Sequence, residues 1–146
     1  MKCLSALLLV LSLLVVPAPA SSAGQRTPVA KAETICSIKN GVRQPGKRKS
    51  RLVSITAVPV LERHHGLHLF EPRCRDRLDG TGAIDVALPS GKRLSDYAEL
   101  NRAVSQDYLA ANVGKRIMAN CTGIVTYSDN YVQFELASDC RIWTEG

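Results

Sequence analysis

The sequence predicts a mainly β chain: a small five-stranded barrel with one helix between its third and fourth strands, carried behind an N-terminal signal peptide. Three observations lead there. Residues 51–74 alternate as a strand, turn at His64-His65-Gly66 and return as a second strand that runs into Cys74. One stretch, Tyr97 to Ala111, has the spacing of an amphipathic helix. Five cysteines minus Cys3 in the leader leave four, an even number that reads as two disulfides in an exported chain.

The leader comes first. Met1-Lys2 is a short basic start, and Leu4 to Val16 is an unbroken run of apolar and small residues. Small residues at Ala18-Pro19-Ala20 and Ser21-Ser22-Ala23 place cleavage after Ala20 or Ala23, so residues 1–23 read as a signal peptide. The run is too short and wrongly flanked for a membrane anchor, and no stable insertion is expected after cleavage. The mature chain is then periplasmic or secreted. Losing Lys2 takes the formal net charge from +6 to +5, a mild bias toward anionic partners. Residues 24–33 have little apolar pattern and read as a flexible lead-in to a single domain spanning 34–146.

Within the domain, Thr34 to Ile38 is a short apolar segment that Cys36 pins to the barrel. A basic loop follows, with Arg43, Lys47, Arg48, Lys49 and Arg51 around the turn residues Gln44-Pro45-Gly46. In the first strand Val53, Ile55 and Ala57 alternate with Ser54 and Thr56. Beyond Ala57 the apolar positions become Val58, Val60 and Leu61, which predicts a change of buried face near Pro59 through a bulge or coil. A strand of that kind serves two sheets. The third strand is Ile84, Val86 and Leu88 alternating with Asp85 and Ala87, stopped by Pro89-Ser90-Gly91. The helix carries Tyr97, Leu100, Val104, Tyr108 and Ala111 on one stripe, with Ser95 or Asp96 as N-cap and Asn112-Val113-Gly114 as the stop.

The last two strands allow a register. Ile117, Ala119, Cys121, Gly123, Val125 and Tyr127 share one face, and Val132, Phe134, Leu136, Ser138 and Cys140 share a face of the returning strand, which lies on the same side. A two-residue loop at Asp129-Asn130 makes opposed residue numbers sum to 259. Cys121 and Cys140 are then same-face diagonal neighbours, roughly 7–8 Å apart and slightly beyond easy disulfide reach without local twist. This favours Cys121–Cys140 with Cys36–Cys74, while the two other connectivities stay open.

Strand, strand, strand, helix, strand, strand is the order of the OB fold. The chain also resembles a group of small exported bacterial proteins of uncharacterised function with an OB-like barrel. Ile35-Cys36, Pro45-Gly46-Lys47, the strand Val53 to Leu61, His65-Gly66 and Cys74 carry the resemblance, which covers roughly Thr34 to Trp143. It implies the fold and no particular activity.

The chemistry-bearing residues point toward binding. No C-x-x-C, G-x-S-x-G, H-E-x-x-H or P-loop is present, which argues against a zinc ribbon, a redox pair and the common hydrolase motifs. No residue is assigned a catalytic role and no cofactor is expected. His64, His65 and His68 are weak candidates for Zn²⁺ or Cu²⁺, lacking an identifiable acid or cysteine partner. The Asp79-Gly80 turn fails as a calcium loop, because Arg75 and Arg77 fall at ligand positions.

Three functions follow. The first is an exported, disulfide-stabilised binding module whose partner is an anionic polymer or another envelope protein. The second is polyanion binding through Arg43, Lys47, Arg48, Lys49 and Arg51, with Phe70, Tyr127, Tyr131 and Trp143 as stacking platforms. The third is a metal-dependent hydrolase of nucleic acid using Asp76, Asp79 and Asp85 with Arg73, Arg75 and Arg77.

Overall fold

The long first strand organises the chain, as its alternation implies, and its partners close a ring. A computed structural model describes residues 29–42, 49–76, 78–129 and 131–146. The expected signal peptide and the basic residues Arg43, Lys47 and Arg48 lie outside these. Among the described residues the elements are β1 (Lys31–Ala32), α1 (Ile35–Gly41), β2 (Arg51–Glu62), β3 (Gly66–Phe70), β4 (Ala83–Ala87), α2 (Ala98–Ala103), α3 (Gln106–Ala111), β5 (Arg116–Tyr127), β6 (Val132–Leu136) and β7 (Arg141–Glu145). The chain is mainly β. β2 pairs with β3, β3 with β4, β4 in parallel with β6, β6 with β5, and β5 returns to β2. Five strands thus form a closed ring, with β1 added to β2 and β7 added to β5. Part of the expected lead-in is therefore a strand: Lys31–Ala32 runs parallel to β2, too short to show any period in the sequence.

β2 serves two partners as expected, but without changing face. It pairs with β5 from Arg51 to Ala57 and with β3 from Val58 to Glu62. Val53, Ile55, Ala57 and Pro59 are all buried, so the inward phase runs straight through the proline. Val58 and Val60 are half-buried on the outer side. Valine favours a pleated surface on either face, and here that preference mimicked a phase shift. β3 stops at Phe70 instead of reaching Cys74, because Glu71-Pro72 opens a turn closed by the Cys74 N–H donating to the Glu71 carbonyl at 2.9 Å.

The single expected helix is two short ones. Ser105 interrupts it and caps α3, its hydroxyl accepting from the Tyr108 N–H at 3.3 Å and donating to the Arg102 carbonyl at 2.8 Å. Neither Ser95 nor Asp96 caps α2. Its first turn instead donates the Glu99 and Leu100 N–H groups, at 2.9 and 3.2 Å, to the carboxylate of Asp139. Of the predicted stripe, Tyr97, Leu100 and Val104 are buried, Tyr108 is half-buried and Ala111 is exposed.

β5 and β6 hold the predicted register, from Gly123 opposite Leu136 to Tyr127 opposite Val132. The last strand does not continue to Cys140. Residues 137–139 break it, Ser138 is exposed, and β7 re-joins β5 with Asn120 opposite Arg141. That register is two residues displaced from the β6 one, and continuing it sets Cys140 directly opposite Cys121. Their Cα atoms are 4.4 Å apart, and the pairing is Cys121–Cys140 with Cys36–Cys74. The core fills the ring with Ile55, Leu69, Ile84, Phe134 and Leu136, closed by Ile35 and Ile38 of α1 and Leu100 of α2.

Phe134 lies against Gly123, where a Cβ would stand 2.6 Å from the ring and would also meet the Glu135 carbonyl. We expect Gly123→Ala to cost about 1–3 kcal/mol through overpacking, read from denaturant melts; an unchanged midpoint would refute this contact. Cys36–Cys74 closes a separation of 38 residues and Cys121–Cys140 one of 19. Each double serine variant should lose about 2–5 kcal/mol, with the longer loop costing about 0.6 kcal/mol more from chain entropy alone.

Candidate functional site

The outer faces of β2, β3 and β4 carry a cleft of about 570 Å³. Register builds it: Val60 lies opposite His68, which lies opposite Asp85, and the next row sets Phe70 opposite Ala83. Glu62 and His65 flank the β2–β3 turn, and Asp79 and Thr81 form the far wall. His68 Nδ1 and Asp85 Oδ1 are 2.8 Å apart, and Asp85 Oδ2 accepts from the Tyr131 hydroxyl at 2.8 Å. Asp85 is thereby held from two sides, by a residue of β3 and by the loop between β5 and β6. Burial, the hydrogen bond to Asp85 and that carboxylate's charge push the Tyr131 phenol up to about 12, so it remains a donor at neutral pH. His68 Nε2 is buried and has no hydrogen-bond partner among the described residues.

Behind the far wall lies a buried ion pair. Lys39 sits one turn after Ile35 on the inward face of α1, so its side chain has to enter the interior. Its ammonium lies 3.1 Å from Asp76 Oδ2 and donates to Asp79 Oδ1 at 2.6 Å, the Ala83 carbonyl at 2.8 Å and Thr81 Oγ1 at 3.2 Å. The Lys39 and Asp76 side chains are 2% and 0% exposed. Asp76 Oδ1 accepts the N–H groups of Leu78, Asp79 and Gly80, and Oδ2 accepts that of Gly82. Burial alone would raise the Asp76 carboxyl. The amides of Asp79 and Gly82, the Lys39 ammonium and the amide of Leu78 outweigh it and hold the group well below the usual carboxylate range. Gly82 is needed here: φ is +66°, and a Cβ would meet the Glu71 carbonyl at 2.8 Å.

Lys39 and Asp76 were missed as partners in the sequence, although a lysine four residues after Ile35 in an apolar segment was a signal. The oxygens that make residues 76–82 look like a cation loop surround the lysine ammonium instead. Asp79, also held below its ordinary value by Lys39 against the effect of burial, sits with Thr81 on both the ion pair and the cleft wall.

The predicted site residues are dispersed. His64 and His65 lie exposed in the turn, while His68 faces Asp85. Among the described residues no three His, Cys, Asp or Glu side chains gather to hold a metal ion. Lys49 is exposed, whereas Arg51 is in β2 and binds Glu33 through two nitrogens at 2.7 and 3.1 Å. Its guanidinium also stands 5.4 Å from the centre of the Tyr127 ring. Arg73 and Arg75 are exposed beside Cys74, and Arg77 lies outside the described residues. Phe70 lines the cleft and Tyr131 borders it, but Trp143 lies on β7 in a different sector. No helix among the described residues is long and apolar enough to cross a membrane. Comparison with protein-family models, curated proteins and solved structures returned no match.

Removing one partner of a buried pair leaves an uncompensated charge, so Asp76→Asn should destabilise the fold by about 3–5 kcal/mol. The Asp76 contribution is fully present above the unfolded carboxylate value of about 3.9 and is lost as pH falls below it toward the lowered native value. The wild-type melting temperature should therefore fall more steeply than that of Asp76→Asn between neutral and strongly acidic pH. Parallel acid limbs would contradict the assignment.

Proposed function

We propose that this chain is an exported, disulfide-stabilised binding module on an OB-type barrel, whose ligand presents positive charge beside a small apolar group. The fold reading is supported by the closed ring, by the parallel β4–β6 pairing, and by the placement of α2 and α3 between the third and fourth strands of that ring. Barrels of this type bind on the face of their second and third strands, with the first hairpin turn and the last interstrand loop at the rim. Here those strands are β3 and β4, and the rim carries His65 and Tyr131. Export is supported by the leader pattern and by two disulfides in one small domain.

One observation carries the ligand class. Glu62, Asp79 and Asp85 line the cleft with Val60, Phe70 and Ala83, and among the described residues no lysine or arginine lines it. Among the described residues Glu62 makes no ion pair or hydrogen bond, so its charge is available to a ligand. Carboxylates on this face oppose an anionic polymer, so polyanion binding through Arg43, Lys47, Arg48, Lys49 and Arg51 calls for another surface. The hydrolase reading gains no support, since Asp76 and Asp79 are engaged by Lys39 and Asp85 by His68 and Tyr131.

Amide-shift mapping with a Lys-Leu-Lys amide tests this. Shifts should centre on residues 60–62, 68–70 and 83–85, and Glu62→Gln should weaken binding about three- to ten-fold. A Glu-Leu-Glu peptide shifting the same amides more strongly would sink the proposal.

A further inference from the structure

A second sector of the ring is built differently. β7 lies on the edge of β5 and extends the outer surface beyond β2, so Thr56, Asn120 and Arg141 align across three strands, and Met118 lies opposite Trp143 in the neighbouring row. Arg116, Met118 and Asn120 face outward because Ile117, Ala119 and Cys121 face the core. Three hollows of about 240, 440 and 510 Å³ share Thr56 as a common lining residue. Around them stand Arg73, Arg116 and Arg141, all exposed, beside the half-buried Trp143 indole.

The state of these arginines distinguishes the surface. Arg51 and Arg102 are each engaged by a glutamate. The guanidinium groups of Arg73, Arg116 and Arg141 have no hydrogen bond or ion pair among the described residues. Three acids are nearby, and each already has a donor: Glu33 is paired with Arg51 at 2.7 Å, Glu71 accepts from the Cys36 N–H at 3.3 Å and Glu145 from the Trp143 indole N–H at 3.4 Å. The last of these bonds also orients the ring. Asn120 is likewise fixed, accepting from the Ser54 hydroxyl at 3.1 Å and donating to Thr56 Oγ1 at 2.9 Å.

We propose that this β2–β5–β7 surface binds single-stranded nucleic acid, with Arg73, Arg116 and Arg141 on phosphates and Trp143 stacked on a base. A planar guanidinium matches a phosphate through paired N–H donors. An oriented indole among unpaired cations supplies the sequence-tolerant platform on which a flat base stacks. The site is separate from the acidic cleft and shares no lining residue with it.

Trp143 is the protein's sole tryptophan, so its own emission reports stacking. The experiment titrates the full mature chain with a short oligothymidylate, reading Trp143 quenching and the anisotropy of a labelled strand over a range of salt. The expected result is quenching on binding, with a log–log salt slope near −2 for about three neutralised phosphates. Replacing Arg73, Arg116 and Arg141 together by glutamine should weaken binding by about ten-fold or more and flatten the slope, at an unchanged melting temperature. Trp143→Leu should weaken binding by about ten-fold while preserving the slope, and Glu62→Gln should leave affinity undiminished. Absence of quenching, equal binding by the triple variant, or binding of a heparin fragment but not of oligothymidylate would each overturn the proposal.

Discussion

The Lys39–Asp76 pair is the interaction on which the rest of the structure depends. Two charges leave water completely, and only dense local bonding makes that tolerable: four oxygens approach the ammonium and four backbone N–H groups approach the carboxylate. The pair gains geometry more than net stability. It sets the path of residues 78–82, and with Cys36–Cys74 it fastens α1 to that loop at two neighbouring points. Asp79 and Thr81 then present one side to Lys39 and the other to the cleft. The cleft wall is consequently tied to the buried pair behind it.

A second theme is the sharing of edges. β2 passes from β5 to β3 along its length, and β5 passes from β7 to β6 along its opposite edge. Long strands divided between partners close a ring from short segments. They also create sectors of different chemistry on its outer surface. Where β3 and β4 flank β2 the side chains are acidic and histidine-bearing; where β5 and β7 extend it they are basic and aromatic. A modest overall charge of +6 conceals this division, because it averages over faces that are physically apart.

The features legible in the sequence were those controlled by local periodicity. Alternation located β2, β4 and β5, and parity together with a two-residue loop yielded the β5–β6 register. Features decided by a single side chain or by distant partners were not legible. Ser105 splits the helix because one hydroxyl competes for backbone groups, an effect no stripe of apolar residues can reveal. The break at 137–139 looked like more strand because Ser138 and Cys140 kept the alternation, yet Asp139 had a better use for its carboxylate across the chain. The acidic cleft escaped detection for a similar reason: Glu62, Asp79 and Asp85 are spread along the sequence and meet only through the β2–β3–β4 pairing.

The Asp139 cap has a consequence for the order in which the molecule matures. α2 lies before β5, but the group that completes its first turn comes from beyond β6, next to the cysteine bridged to Cys121. A chain emerging N-terminus first can pair its early strands while this helix still lacks its acceptor. Only when the tail arrives can Cys121 be bridged and this helix be capped, and because Asp139 and Cys140 are adjacent their groups arrive together. The Cys121–Cys140 bridge therefore also holds Asp139 close to the first turn of α2.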